Sequence, residues 1–302
     1  MLRLPRILFA TDGSDCAERA RRYAAHLADR FEAALHIVHV EERSADLADV
    51  VDVKEADILA DLHAIERGES VVAEPRVQER RVVHPSAAEG LLSYAAEHDI
   101  RLLVLGTHGR RGLRRLMLGS VAEEVVRRAD APVLTVGPGA DVHAMSGGTL
   151  LVPVDFSAAQ EALLAHAREW ALAYDMELVL THAVEVEGVP DVYGLRSDPP
   201  EPDALADRAR TALREPAEDL RDRGLDVQVE VRAGPAAAEV LDAAEAHDAD
   251  LLTIATHGRS GLDRVLMGSV AETVLRQAPC PVLTTKPFGR SLVEASAPSP
   301  NE

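Results

Sequence analysis

Residues 106–136 read GTHGRRGLRRLMLGSVAEEVVRRADAPVLTV, and residues 255–285 read ATHGRSGLDRVLMGSVAETVLRQAPCPVLTT. The two stretches align without a gap and share 19 of 31 positions. Each begins directly after a short, unbroken apolar run, residues 102–105 or 251–254, which is typical of a strand buried on both faces of a parallel sheet. The chain therefore contains an internal repeat, and its two copies predict two domains of one fold.

Each copy places glycines between the predicted strand and the helix that follows it. The spacings are Gly106-x2-Gly109-x9-Gly119-Ser120 in the first copy and Ala255-x2-Gly258-x9-Gly268-Ser269 in the second. Val, Ala, Glu and Arg follow at helical spacing, so we expect the two serines to cap the helices. The amino end of a helix offers unpaired N–H groups and partial positive charge, and glycine lets a phosphate approach the backbone. The pattern predicts an anion site at the carboxyl end of each strand.

Two familiar phosphate motifs do not match this spacing. A Walker A loop needs Gly-Lys-Ser/Thr, and no lysine lies in either copy. The compact G-x-G-x-x-G of dinucleotide folds is also absent from both copies. The alternative is that the loops are tight turns that need glycine for shape alone. Two copies, each directly after a predicted strand, favour a ligand site over that alternative.

The glycine spacing resembles the ATP-binding signature of the universal stress protein family, and the resemblance covers both halves of the chain. It implies an α/β fold of two tandem α/β sandwich domains, each with a five-stranded parallel sheet of the nucleotide-binding, adenine nucleotide alpha hydrolase-like kind. It also implies ATP as the ligand, with or without Mg²⁺, and a role as a sensor or regulator in the stress response with little or no turnover.

The resemblance assigns binding residues in both halves. Those for adenosine are Asp12, the backbone of Val40 and Gly106, matched by Asp155, Ala183 and Ala255. Those for the phosphates are Gly109, Gly119, Ser120 and Val121, matched by Gly258, Gly268, Ser269 and Val270. His108 and His257 lie inside the two glycine loops, so we expect them to touch the ligand as well. The second site is less complete, because Ala255 replaces the first glycine and its methyl group is tolerated only where φ is negative.

Asp12 and Asp155 follow the first predicted strand of each half. An acid at the carboxyl end of a parallel strand can bond the sugar hydroxyls of a ligand, or it can cap a turn with no ligand present. The residues alone leave both readings open, and the family resemblance favours adenosine. Ser14 and Ser157 are predicted to cap the helix that follows each acid.

The length of 302 residues is about twice that of a typical domain. We expect a first domain at residues 1–137, a linker at 138–147, a second domain at 148–287 and a flexible tail at 288–302. The halves differ most at one pair of matched segments. The first half has a predicted amphipathic helix at 44–67, and its counterpart in the second half is longer and includes a proline-rich segment at 189–202.

The fifth strand of each half, residues 133–136 and 282–285, comes last and is expected at a sheet edge, where unpaired N–H and C=O groups invite another strand. Members of the resembled family pair these strands about a two-fold axis. Here both lie on one chain, which predicts antiparallel pairing and an intramolecular pseudo-dimer. Homodimerisation of whole chains and the identity of any protein partner stay open.

Composition limits the remaining function classes. The net charge of −19 repels nucleic acid and anionic lipid, and no segment approaches the ~20 apolar residues of a membrane span. We therefore expect neither nucleic acid nor membrane as a partner, and a cytoplasmic location. The two cysteines have alanine at their matched positions, so a disulfide framework is not expected. No Cys/His spacing predicts a metal site.

The repeated residues do not include a nucleophile beside a base, paired acids or a catalytic lysine, so we predict no catalytic residues. The only cations available there are arginines, with Arg110 and Arg259 matched inside the loops and Arg115 and Arg264 also paired. Two alternatives to a binding protein remain. One is an ATP-using enzyme, either a slow ATPase or a phosphotransferase, and the other is a ligand-free dimerisation or interaction module.

Overall fold

The computed structural model of the chain describes residues 2–43, 77–109, 118–140, 147–185, 202–256, 267–286 and 290–293. Several predictions lie outside these ranges: the helix at 44–67, most of the proline-rich segment, the loop arginines, His257 and Gly258. None of the described helices is long and apolar enough to cross a membrane.

Both halves alternate strands with helices. The first contains β1 (Arg6–Ala10), α1 (Asp15–Arg30), β2 (Ala34–Glu42), β3 (Val77–His84), α2 (Ala87–Glu97), β4 (Leu102–Gly106), α3 (Ser120–Arg128) and β5 (Val133–Val136). The second contains β6 (Thr149–Pro153), α4 (Gln160–Tyr174), β7 (Glu177–Val184), α5 (Pro202–Asp222), β8 (Val227–Ala233), α6 (Ala236–Ala246), β9 (Leu251–Ala255), α7 (Ser269–Gln277) and β10 (Val282–Thr285).

The ten described strands form one sheet in the order β3-β2-β1-β4-β5-β10-β9-β6-β7-β8. Strands within each half are parallel, and β5 pairs antiparallel with β10 around Leu134 and Leu283. The hydroxyl of Thr135 donates to the carbonyl of Val282 at 3.3 Å, and that of Thr284 donates to the carbonyl of Val133 at 3.1 Å. The predicted α/β fold and the antiparallel pairing within one chain are confirmed.

Helices cover both faces of this sheet and bury its alternating side chains. One core layer lies under α1, α4 and α5, and the other lies under α2, α3, α6 and α7. The first layer crosses between the halves, where the ring of Phe31 meets those of Trp170 and Tyr174 edge-on at 6.4 and 6.1 Å. Trp170 is fully buried there, so aromatic packing between α1 and α4 joins the halves in addition to the strand pairing.

Helix starts follow the prediction in only one of four cases. The Ser14 hydroxyl accepts from the N–H of Ala17 at 3.2 Å, as expected of an N-cap. Ser157 does not cap α4, because the chain makes a further turn at residues 157–159 before the helix begins at Gln160. The prediction is also wrong for the two Gly-Ser pairs. There the extended backbone of Gly119 and Gly268 makes the glycine the N-cap and the serine the first helical residue.

Residues 290–293 contact both halves, so the predicted flexible tail is wrong for these four residues. The backbone N–H of Arg290 donates to the carbonyl of Asp130 at 2.6 Å, and its guanidinium bonds the carboxylate of Asp99. Leu2 and Val293 form an antiparallel bridge, and Leu292 is 1% exposed. Burial of an apolar side chain stabilises this docking in a way that serine- and proline-rich composition does not reveal.

His166 of α4 holds the same segment from the second half. Its Nδ1 lies 2.7 Å from the carbonyl of Ala162, which only accepts, so Nδ1 carries the proton. Its Nε2 therefore accepts from the N–H of Leu292 at 3.1 Å. Burial lowers the pKa of His166 from its ordinary value of 6.5, which favours this neutral form.

We predict that His166→Gln makes the chain less sensitive to acid. Because the folded-state pKa of His166 is lowered, the unfolded chain takes up this proton first, and stability is lost as pH falls below 6.5. Glutamine can donate to Ala162 and accept from Leu292 without titrating. Urea melts at about pH 7.5 and about pH 5.5 should show a smaller loss of unfolding free energy in the variant. An equal loss in both proteins would contradict the assignment.

Candidate functional site

A cavity of about 830 Å³ opens at the carboxyl ends of the first-half strands. This volume is within the range of small-molecule sites. All eight first-half residues predicted to bind a ligand line it: Asp12, Val40, Gly106, His108, Gly109, Gly119, Ser120 and Val121.

The strand order explains why the cavity lies here. From β1 the chain moves outward to β2 and β3 on one side, and then returns to β4 and β5 on the other. The connections after β1 and β4 therefore leave the sheet in opposite directions and open a crevice between them, which is where open α/β sheets bind ligands. Asp12 follows β1 and Gly106 ends β4, so the topology brings these residues together across 94 positions of sequence.

The acid and the glycine loop are fixed against each other. One carboxylate oxygen of Asp12 accepts from the N–H of Ser14 at 2.9 Å. The hydroxyl of Ser14 in turn donates to the carbonyl of His108 at 3.2 Å. A side chain at Gly109 would place its Cβ 2.8 Å from the other Asp12 oxygen. Glycine at this position therefore keeps the carboxylate of Asp12 accessible beside the loop.

The amino end of α3 forms another wall of the cavity. The N–H of Gly119 donates to the carbonyl of Thr107 at 2.8 Å, which fixes the start of the helix against the glycine loop. Ser120, Val121 and Ala122 follow in the first helical turn, where N–H groups have no preceding intrahelical acceptor, and all three line the cavity. The wall therefore offers N–H donors and the positive end of the helix dipole.

Two histidines, His39 and His108, line the cavity and differ in their hydrogen bonds. His39, near the end of β2, lies with Nδ1 2.8 Å from the carbonyl of Thr11. His108 lies with Nδ1 2.8 Å from the hydroxyl of Thr107, while its Nε2 is buried and has no hydrogen-bond partner among the described residues. Burial lowers the pKa of His108, so it is neutral at pH 7. Its Nε2 is a polar atom that a ligand or water could satisfy.

Glu41 and Glu42 also line the cavity, and sequence reasoning missed both. The carboxylate of Glu41 bonds the guanidinium groups of Arg43 and Arg81, and the bond from Arg43 is the main reason that the pKa of Glu41 is lowered. Glu42 accepts from the N–H of Ala87 at the start of α2. The matched Glu185 accepts from the N–H of Ala236 in the second half. The signal available in the sequence was therefore the glutamate repeated at this position in both halves.

The described part of the second half repeats several of these contacts. Asp155 accepts from the N–H of Ser157 at 3.0 Å, and Gly268 donates to the carbonyl of Thr256 at 3.0 Å. His182 lies with Nδ1 2.6 Å from the carbonyl of Val154, matching His39. Ala183 lies on β7, Ala255 ends β9, and Ser269 and Val270 begin α7.

Across the described ranges, no group of three or more His, Cys, Asp or Glu residues could hold a metal ion.

The glycine at the end of β4 is required by packing rather than by backbone conformation. Gly106 and Ala255 both lie outside the left-handed region of φ. A Cβ on Gly106 would lie 2.8 Å from the backbone carbon of Cys16 and 2.9 Å from the nitrogen of Ala17, at the start of α1. In the second half α4 begins at Gln160, two residues later than the position matched to the start of α1, and alanine occupies the strand end.

Comparison with known proteins gives one consistent result. The sequence model of the Universal stress protein family matches residues 4–137 and 148–286. A universal stress protein of Mycolicibacterium smegmatis is 27% identical over 295 residues, which cover 93% of this chain and 97% of that protein. The universal stress protein Rv2005c of Mycobacterium tuberculosis is 32% identical over 193 residues, which cover 63% of each chain.

Among solved structures, a protein of unknown function from Pseudomonas aeruginosa PAO1 covers 94% of this chain and 93% of its own, with a TM-score of 0.67. The two sequences are 21% identical, so this likeness concerns the fold.

We predict that Gly106→Ala destabilises the first half, whereas Ala255→Gly has a small effect. The added methyl group at residue 106 meets backbone atoms that cannot rotate away, which costs roughly 1–3 kcal/mol. The reverse change at residue 255 removes a methyl group that is already accommodated and costs roughly 1 kcal/mol or less. Urea unfolding of both variants without nucleotide measures the difference. Equal losses would show that the two strand ends are packed alike.

Proposed function

The chain belongs to the universal stress protein family, and we propose that it binds adenine nucleotide, with ATP as the ligand, in the cavity of its first half. The protein acts as a sensor or regulator in the stress response and turns ATP over slowly or not at all. The observation that carries this proposal is that the eight first-half residues predicted from the sequence all line a single cavity.

The shape of the cavity supports a nucleotide in a defined orientation. Asp12, the backbone of Val40 and Gly106 lie where strands end and would contact adenosine. A Cβ on Gly119 would lie 3.0 Å from the carbonyl oxygen of Thr107, so a larger residue there would push the start of α3 away from the glycine loop. Gly109, Gly119, Ser120 and Val121 would receive the phosphates through N–H groups and the helix dipole. Mg²⁺, if bound, would arrive with the phosphates, as is usual for this ion.

A second nucleotide would bind the matched residues of the other half. Asp155, Ala183, Ala255, Gly268, Ser269 and Val270 repeat the strand-end and helix-start positions. His257 and Gly258, which lie outside the described residues, would complete that site. We propose that the first half binds more tightly, since it carries glycine at the strand end and alanine stands there in the second half.

The hydrogen bonds made by polar side chains in the cavity favour binding over catalysis. The hydroxyl of Ser14 donates to a backbone carbonyl, and His39 uses Nδ1 in the same way. Neither is arranged as a nucleophile beside its base, which would require the two side chains within hydrogen-bond reach of each other.

We predict that Gly119→Leu weakens nucleotide binding in the first half, with Gly268→Leu as its matched control. The new side chain would occupy the backbone surface that the phosphates approach, so ATP affinity should fall at least about tenfold, the effect of about 1.4 kcal/mol. Gly268→Leu should leave the tighter site intact because residue 268 lies in the second half. Its Cβ would lie 3.7 Å from the Thr256 carbonyl, which is an ordinary contact, so the fold should also tolerate the change. Calorimetric titration gives both affinities, and thermal unfolding checks the fold. Unchanged binding by the folded Gly119→Leu protein would make the loop purely structural.

We also predict slow hydrolysis. The rate of phosphate release from ATP by the purified chain should lie far below the ~10 s⁻¹ typical of enzymes. Rapid, sustained turnover that disappears in Asp12→Ala would instead favour the enzyme alternative.

A further inference from the structure

Lys286 makes a contact between the halves that no motif predicts. The chain has two lysines, Lys54 and Lys286. Lys286 follows β10 of the second half and is partly buried. Its ammonium donates to the carbonyls of Arg127 at 2.8 Å and Ala129 at 2.6 Å, which are the last carbonyls of α3 in the first half. The second half therefore supplies a side-chain cap to a helix of the first.

This contact runs in one direction only. The position matched to Lys286 in the first half is Gly137, which has no side chain to donate. A Cβ on Gly137 would lie 3.7 Å from the carbonyl of Ala278, the residue matched to Ala129. The geometry of the two sites is thus equivalent, but only α3 receives an ammonium group. The half that receives the ammonium group is the one whose glycine motif is complete in sequence.

The opposite end of α3 forms a wall of that cavity. The helix has nine residues, so its ends are ~13 Å apart at the helical rise. Ala122, Val125 and Val126 are buried along its length, which makes it a rigid connection between the lysine and the first turn. The carboxyl end of a helix carries partial negative charge, and a cation there leaves the positive potential of the amino end less opposed.

We propose that Lys286 is a positioning residue for the first-half nucleotide site, which it reaches through α3. Its ammonium fixes the carboxyl end of the helix and adds positive potential that favours phosphate at the amino end. This inference rests on the proposed function, and it names the second half as a contributor to the first site. The strongly acidic chain gives such a cation particular weight, because its net charge otherwise opposes a nucleotide.

The charge of Lys286 can be changed by pH. Burial lowers its pKa to about 8, while the carboxylate of Asp130 acts in the opposite direction. Among the described residues, the charged residues closest in sequence to the two carbonyl acceptors are Arg127, Arg128 and Asp130, and Arg290 donates its N–H to the carbonyl of Asp130. The guanidinium of Arg128 bonds Glu89 and Glu124. A bound polyphosphate favours the charged lysine. ATP affinity should therefore fall as pH rises through about 8, and bound ATP should raise the pKa of Lys286.

The small number of lysines allows a direct test on the full chain. In Lys54→Met, isotope-labelled lysine gives a single NMR signal, so the titration of Lys286 can be followed with and without ATP. Calorimetry at about pH 7 and about pH 9.5 then compares ATP affinity in the unaltered chain, Lys54→Met, Lys286→Met and Lys286→Arg. Lys54→Met is the control for loss of a lysine, and arginine keeps the charge at both pH values.

The expected result has three parts. Lys286→Met binds ATP about two- to fivefold more weakly at pH 7 and equals the unaltered chain at pH 9.5, where that lysine is neutral. Lys286→Arg keeps its affinity at both pH values. Added ATP moves the Lys286 titration to higher pH. A lysine that only stabilises the fold would lower the melting temperature of Lys286→Met and leave these three readouts unchanged.

Two different failures are distinguishable. ATP binding of equal strength and equal pH dependence in the unaltered chain and Lys286→Met, with no shift of the lysine signal, would overturn this inference alone. Absence of ATP binding by the unaltered chain at both pH values would overturn the proposed function and this inference with it.

Discussion

The antiparallel pairing of β5 with β10 is the contact on which the remaining architecture depends. Each strand has four residues, and each would otherwise be the open edge of a parallel sheet. Pairing satisfies these backbone groups and joins two five-stranded sheets into one, with threonine hydroxyls adding a bond in each direction. It also brings Lys286 to the end of α3 and places α1 against α4. The strand pairing thus brings side chains of each half into contact with the other half.

Within this symmetric frame, three differences between the halves change contacts in the structure. Gly106 faces backbone atoms of α1, whereas its match is alanine. Lys286 caps α3, whereas its match is Gly137. His166 anchors the docked segment at 290–293, whereas its match on α1 is Tyr23. Each difference adds a constraint to one half only, so the two halves of the duplicated fold are not equivalent.

The sequence predicts the fold and the cavity well because both leave local traces. Buried parallel strands appear in the sequence as apolar runs. The glycines of the loop and the acid after the first strand are recognisable from their own short stretches of sequence, without knowledge of distant contacts. Other features depend on contacts between distant residues. Glu42 reaches the cavity because β2 continues in register with β3 up to its pairing with His84. The N–H of Leu292 bonds His166, and the next residue, Val293, bridges to Leu2. The cap at α3 comes from a lysine 157 positions after Ala129. No local pattern encodes these partners.

The central claim, that the first-half cavity selects adenine nucleotide, is tested most directly by asking the full chain to choose its ligand. The purified protein would be incubated with an equimolar mixture of ATP, ADP, cyclic AMP and GTP, separated from free nucleotide and denatured, and the released molecules identified by mass spectrometry. The account predicts release of adenine nucleotide, with ATP predominant and GTP absent. Release of no nucleotide, or of GTP in equal amount, would contradict it.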